Sequence, residues 1–325
     1  MKSSFTRRQL LGGAVGLAVL AGQAGADTKP TKAKKSKAAK KPLPAGAAGT
    51  ITIGGDMQVN RLGFGAMRLT GPQIWGEPAD PAEARRVLRR AVELGVNFID
   101  TADSYGPEVS ERLIAEALRP YPQGLIIATK GGLLRPTAGE WTPDGRPQHL
   151  REACESSLLR LKIERIDLYQ YHYLDSQVPL EESLGELAKL QREGKIRHIG
   201  VSNFKVDEVE RARTIVPIVS VQNRYNLADR KSDDVLALCT REGLAFIPWA
   251  PLEKGSSEKL VAAEAAATDI AHAHGVSVFQ LSIAWLLAKS PAMLPIPGTS
   301  SVAHLEQDVA AAAVSLSAAD LAALG

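Results

Sequence analysis

"GVNFIDTADSYG", residues 95–106, starts as a buried strand and ends in a polar cluster. Val96 to Ile99 reads as the strand; Asp100, Thr101, Asp103, Ser104 and Tyr105 follow at once. A strand that only had to pack would end in a plain turn. Two carboxylates and a phenol at the end of a buried strand mark a place where side chains do chemistry, so the next question is what the other strands end in.

Short apolar runs recur along the chain: 62–68, 96–102, 125–131, 166–172, 196–203, 218–223, 244–250 and 292–298. Amphipathic stretches separate them. "PAEARRVLRRAVELG" has Asp80 as N-cap, Pro81 in its first turn and Gly95 as its stop. "PLEESLGELAKLQREG" repeats the pattern and stops at Gly194, and a long helix is expected over 268–290. Eight strands alternating with helices predict a (β/α)8 barrel. A doubly wound sheet is disfavoured, because no GxGxxG turn follows a strand. "TITIGGDMQVNRL" precedes the barrel as a hairpin around Gly54-Gly55-Asp56.

The chemistry of such a barrel sits at the C-terminal ends of its strands. Here those ends carry Asp100 and Tyr105, Lys130, His172, Ser202 and Asn203, Gln222 and Asn223, and Trp249. A phenol is a poor acid at neutral pH, and a nearby ammonium lowers its pKa. Lys130 is expected to do this for Tyr105, with Asp100 holding Lys130 and His172 orienting a carbonyl oxygen. Each residue alone has a plain structural explanation: a surface lysine, a capping aspartate, a turn tyrosine, a packed histidine. The four together at successive strand ends describe a general acid that protonates an alkoxide as it forms, and a carbonyl polarised this way can accept hydride from a reduced nicotinamide.

With these motifs in view, the chain resembles the aldo-keto reductases, from about residue 50 to its end. The resemblance rests on "NFIDTADSYG", "IATKGG", "DLYQYHYLD", "GKIRHIGVSNF", "VQNRYN", "FIPWAPL" and "PIPGTSSVAHLEQDVAAA". "NRLGFGAMRLTGP" is most similar to a bacterial branch that includes pyridoxal reductases. The resemblance implies catalytic Asp100, Tyr105, Lys130 and His172. It implies an extended nicotinamide cofactor, NADPH before NADH, with Gly65, Ala66 and Met67 beside it. Ser202, Asn203 and Gln222 would bind its carboxamide, Trp249 would stack on its ring, and Ala250, Pro251 and Leu252 would line its pyrophosphate channel. Gly298, Thr299, Ser300, His304, Gln307 and Asp308 would surround a 2′-phosphate, although this chain lacks the Lys and Arg that many relatives place there. Trp75, Trp141 and Tyr173 are candidate walls of the substrate pocket, which is expected to be open and to take a small-molecule carbonyl.

The ends and the composition set further bounds. Arg7 and Arg8, an apolar run from Leu10 to Leu20 and Ala24-Gly25-Ala26 have the build of a twin-arginine export signal over 1–26, too short and Gly/Ala-rich for a stable membrane span. The translocase would then be a partner, and the product periplasmic or extracellular. Residues 27–48, with seven lysines and three prolines, read as a disordered linker, leaving 49–325 as the domain. Residues 1–48 hold ten Lys and Arg against one Asp, so 49–325 carry 29 basic and 35 acidic side chains, a net of −6. The folded part therefore has no case for nucleic-acid binding. Cys154 and Cys239 read as free buried thiols, and no metal is expected.

Export is in tension with reductase chemistry, since reduced nicotinamide is not regenerated outside the cytoplasm. The alternative is a nicotinamide-binding sensor or accessory module with little turnover, against which the complete tetrad argues. A barrel isomerase or lyase would bind no nucleotide at all.

Overall fold

The structure, a computed structural model, describes residues 43–252 and 258–325. The stretch read as an export signal and all but the last six residues of the lysine-rich stretch lie outside them. Those six are part of the folded unit. Pro44–Ala48 form a 3-10 turn, Ala45 is fully buried, and its N–H donates to Leu94 O (3.0 Å). Residues 43–48, read as the end of the linker, thus pack against the domain.

The hairpin is β1 (Thr50–Ile53) and β2 (Met57–Asn60), paired antiparallel. The barrel strands follow: β3 (Phe64–Gly65), β4 (Phe98–Asp100), β5 (Ile126–Gly131), then, past a small antiparallel pair, β6 (Leu133–Leu134) and β7 (Thr142–Pro143), β8 (Ile166–Tyr171), β9 (Ile196–Ser202), β10 (Ile218–Arg224) and β11 (Ala245–Trp249). Seven of them form one parallel sheet in the order β11-β10-β9-β8-β5-β4-β3.

The eighth run, 292–298, is extended but is not a regular strand. Phe246 N–H donates to Ala292 O (2.8 Å) and Leu294 N–H to Phe246 O (2.9 Å); Gly63 and Gly65 donate to Pro295 O (3.0 Å) and Pro297 O (3.1 Å). The segment joins β11 to β3 and closes the barrel. Pro295 and Pro297 have no N–H to return, so its ladder is one-sided.

Helices α1 (Pro81–Glu93), α2 (Val109–Leu118), α3 (Pro147–Leu161), α4 (Leu180–Arg192), α5 (Val206–Ile215) and α6 (Asp233–Glu242) alternate with the strands. Asp80 caps α1 as expected, accepting from Glu83 N. The long helix expected over 268–290 is two helices, α7 (Glu258–Ala273) and α8 (Val278–Lys289), bent by 94°. Gly275 in the left-handed region (φ 66) and a capping box of Ser277 with Gln280 make the break. Helices α9 (Val302–Ala310) and α10 (Ala318–Leu324) end the chain. Among the described residues no single helix is long and apolar enough to cross a membrane.

Side chains alternate across each strand, and this places the site. Phe98, Ile126, Ala128, Leu168, Ala245, Ile247, Leu294 and Ile296 share one cluster with Ile53, Met57 and Val59 of the hairpin. The lower barrel is therefore filled with apolar side chains, and the hairpin covers that end. Two residues further along the same faces, Phe98 gives way to Asp100, Ala128 to Lys130, Leu168 to Gln170 and Ile247 to Trp249. The barrel interior changes from apolar to polar at one level.

Candidate active site

Register brings the polar layer together. Asp100 pairs with Ala128, Lys130 with Gln170, and Ser202 with Gln222 on neighbouring strands. Lys130 Nζ donates to Asp100 Oδ1 (2.6 Å), Thr101 O (2.9 Å) and Tyr105 Oη (3.2 Å), and the ammonium is fully buried. Tyr105 and His172 meet edge to face with ring centroids 6.0 Å apart. The four residues named from sequence form one connected group.

Charge states follow from burial and neighbours. Burial works against the Lys130 ammonium, but Asp100 and Tyr105 more than offset it, and its pKa is raised. His172 is held well below its ordinary value, first by burial and then by Lys130, so its ring is neutral at pH 7. Tyr105 departs from expectation. Burial raises its phenol above the ordinary value, Lys130 pulls it down, and Asp100 adds to the rise. The net direction is upward, because complete burial outweighs one ammonium that is itself shared with a carboxylate.

Above the tetrad opens a pocket of about 710 Å³. Asp100, Tyr105 and His172 form its floor, and Lys130 lies beneath. One wall holds Ser202, Asn203, Gln222, Trp249, Ala250, Pro251 and Leu252, and reaches Gly65, Met67 and Gly298. Its polar groups are wired to each other. Trp249 Nε1 donates to Asn203 Oδ1 (2.9 Å), Asn203 Nδ2 to His172 O and Ser202 Oγ (both 3.1 Å), and Ser202 Oγ to Gln222 O (2.9 Å). Gln222 gives Nε2 to Asp100 Oδ2 (2.8 Å) and Gln170 Oε1 (3.0 Å), leaving its own Oε1 to accept from a ligand amide. The opposite wall holds Trp141 and Tyr173 together with Ile74, Leu133 and Pro143.

Other candidates lie elsewhere. Ala66 is buried behind the pocket, and Asn223 ties down Phe204 through two backbone hydrogen bonds. Thr299, Ser300, His304, Gln307 and Asp308 do not line the pocket. Asp308 is buried, which pushes its carboxyl up to about 7. At the N-terminus of α9, the Val302 N–H donates to Glu83 Oε1 (3.0 Å), so a carboxylate already sits where a phosphate was expected. Arg68, which lines the pocket next to Gly298, is a cation the sequence reading missed.

Sequence reasoning also missed Gln170, whose Nε2 donates to Asp100 Oδ2 (2.9 Å). It stands two residues before His172 on the same strand face, and that spacing was the available signal. Arg135 was missed as well; it stacks on Trp141 with the guanidinium carbon 3.7 Å from the ring centroid. Trp75 touches the same guanidinium at 5.5 Å without itself lining the pocket. Cys154 and Cys239 are free and buried, and burial raises each thiol to about 12. No group of three His, Cys, Asp or Glu among the described residues could hold a metal.

The model of the aldo/keto reductase family matches residues 61–325. An uncharacterised oxidoreductase of Schizosaccharomyces pombe is 50% identical over 281 residues, covering 86% of this chain and 90% of that protein. The pyridoxine 4-dehydrogenase of Escherichia coli is 42% identical over 274 residues, covering 82% of this chain and 94% of that one. A crystal structure of an aldo-keto reductase from Klebsiella pneumoniae in complex with NADPH superposes with a TM-score of 0.72 at 28% identity, covering 85% and 93% of the two chains.

Proposed function

The chain belongs to the aldo/keto reductase family, and from that premise we propose that it reduces an aldehyde or ketone to the alcohol with NADPH as cofactor. The observation that carries this is Lys130 Nζ, held at once by Asp100 Oδ1 (2.6 Å) and Tyr105 Oη (3.2 Å) under an open pocket. The pocket wall fits a nicotinamide: Ser202, Asn203 and the unused Gln222 acceptor would meet its carboxamide, and Trp249 its ring. Ala250 to Leu252, Gly298 and Arg68 would follow the phosphates outward.

When bound, NADPH supplies the hydride that goes to the carbonyl carbon. Neutral His172 keeps one ring N–H for the carbonyl oxygen and orients it toward Tyr105. Tyr105 transfers its phenolic proton to that oxygen, giving the alcohol. Lys130, already bonded to Tyr105, stabilises the phenolate left behind, and Asp100 keeps Lys130 charged and in place. The raised pKa of Tyr105 keeps the proton on the phenol until an alkoxide, the far stronger base, forms beside it. The pyridoxine 4-dehydrogenase relative favours pyridoxal as a substrate of this pocket.

The test is loss of reduced-nicotinamide absorbance with NADPH and with NADH, against pyridoxal, methylglyoxal and simple aldehydes. Turnover that Tyr105→Phe abolishes is the expected result. NADPH binding with no turnover on any aldehyde would overturn the reading in favour of a cofactor sensor.

The paired Arg7 and Arg8, the apolar run and the small residues before Asp27 support export of the folded protein by the twin-arginine translocase, with its cofactor loaded beforehand. Replacing both arginines with lysine should leave the protein in the cytoplasmic fraction. Unchanged fractionation would rule this route out.

A further inference from the structure

Arg135 is buried (7% exposed), between β6 and β7, and pairs with no carboxylate among the described residues. Its two Nη groups are held by carbonyls from three loops, while the buried Nε has no hydrogen-bond partner. Nη1 donates to Ile74 O (3.1 Å) and Ser104 O (3.4 Å), and Nη2 to Gln73 O (3.0 Å) and Ala138 O (2.6 Å). The guanidinium also lies against the rings of Trp141 and Trp75. Burying a cation without an anion is costly, so an arrangement that retains one calls for a gain elsewhere.

The loop it grips is strained. Gln73 and Ile74 both adopt left-handed φ, 57° and 59°. Neither is glycine, and a β-branched residue there is an outlier. Arg135 holds both of their carbonyls. The strained turn delivers Ile74 into the pocket wall, and the cation fixes the plane of Trp141, whose ring meets His172 edge-on with centroids 6.4 Å apart. The two features meet at one place: a strained loop and a loop tryptophan, both locked by one buried side chain, beside the catalytic histidine.

We propose that Arg135 is the specificity-determining positioning residue of this pocket, holding Ile74 and Trp141 as a rigid apolar wall that selects flat aromatic carbonyl compounds over small aliphatic ones. The proposal rests on the reductase reading and names the substrate class of the same site. A small aldehyde reaches Tyr105 and His172 without using the wall; an aromatic one is bound by it. A lysine cannot replace the fork, because one ammonium cannot span four carbonyls in a plane.

The experiment compares the full-length wild type with Arg135→Met, Arg135→Lys and Trp141→Leu, using 4-nitrobenzaldehyde, pyridoxal and propanal as probes and NADPH binding as a control. The expected result is a KM for the two aromatic aldehydes raised about fivefold to tenfold in all three variants, the size of one lost aromatic contact. Propanal kcat/KM should fall far less than that of the aromatic aldehydes, and the NADPH Kd should stay within twofold. Trp141→Leu leaves the guanidinium bonds in place, so it tests the wall even where an Arg135 variant fails to fold. Equal losses on aromatic and aliphatic aldehydes, unchanged KM values, or full rescue by lysine would overturn the proposal. A wild type silent on all three aldehydes overturns the reductase reading and this one with it; turnover without the split overturns this one alone.

Discussion

Gln170 Nε2 lies 2.9 Å from Asp100 Oδ2, across the barrel interior and out of reach of solvent. Gln222 Nε2 reaches the same oxygen at 2.8 Å, while Lys130 takes the other carboxylate oxygen. Asp100 is therefore clamped from three strands. Its position fixes that of Lys130, and through Lys130 that of the Tyr105 hydroxyl.

Gln170 is thus expected to act on catalysis without touching substrate. Gln170→Leu removes the hydrogen bond to the buried Asp100 charge, worth about 1.5–3 kcal/mol, and with it the acceptor of the Gln222 amide. The expected outcome is a loss of stability of that order, with kcat lowered about tenfold and the Kd for NADPH little changed. Gln222→Leu, by contrast, should weaken NADPH binding as well, since it also removes a pocket acceptor. Denaturant unfolding, steady-state rates and cofactor titration on both variants check this. A Gln170→Leu enzyme with kcat within twofold of wild type would refute the clamp.

His172 makes a prediction about acid. Its folded pKa is depressed by burial and by Lys130, so the native state stays neutral where the unfolded chain, with a value near 6.5, picks up a proton. The unfolded state binds more protons, and stability falls as pH falls. The contribution is whole above pH 6.5 and is lost below it, at up to about 1.4 kcal/mol per pH unit. Wild type should therefore lose stability from pH 6.5 to 5 faster than His172→Gln does. Parallel unfolding curves for the two proteins over that range would show that His172 is not the group responsible.

The barrel and the placing of Asp100, Lys130 and His172 were legible because they follow from period-two alternation, whereas Tyr105 was read from the polar cluster in the turn after Asp100. Phe98 with Asp100, Ala128 with Lys130, and Leu168 with Gln170 and His172 are single strand faces read upward. Arg135 was not legible, since it works through backbone carbonyls of other loops, which leave no side-chain pattern. The irregular eighth strand could have been inferred from Pro295 and Pro297. The break between α7 and α8 was marked by Gly275 and Ser277, but the apolar run continuing to Leu287 masked it. The direction of the Tyr105 shift depends on burial of the whole group, a quantity that motifs do not carry. Residues 43–48 carry no lysine but share the Pro and Ala content of the stretch before them; what distinguishes them is the packing of Ala45 and its bond to Leu94.

Glu83 bears on the choice between NADPH and NADH. Its carboxylate accepts from Val302 N–H at the start of α9, and that hydrogen bond followed by Arg86 holds its pKa below the ordinary value. A fixed negative charge at this helix N-terminus opposes a 2′-phosphate bound there. Glu83→Gln should strengthen NADPH binding by a few-fold at low salt and leave NADH unchanged, as measured by fluorescence titration. Equal changes for both cofactors would separate Glu83 from the phosphate.

Gly200 tests how closely the polar layer is packed. A Cβ there would lie 2.4 Å from Ser220 Oγ and 3.0 Å from Gln170 Cγ. The bare backbone of β9 is what lets Gln170 cross toward Asp100. Gly200→Ala should push Gln170 aside, with overpacking costing about 1–3 kcal/mol and the clamp on Asp100 loosened. The Ser220 hydroxyl is buried and has no hydrogen-bond partner, so Ser220→Ala alone should be nearly neutral. Because Ser220 is the closer obstacle, the double variant should regain most of the stability and rate that Gly200→Ala loses. The coupling is read from a double-mutant cycle on unfolding free energy and kcat. Strict additivity of the two changes would mean that Gln170 Cγ, rather than the Ser220 hydroxyl, sets the limit at this position.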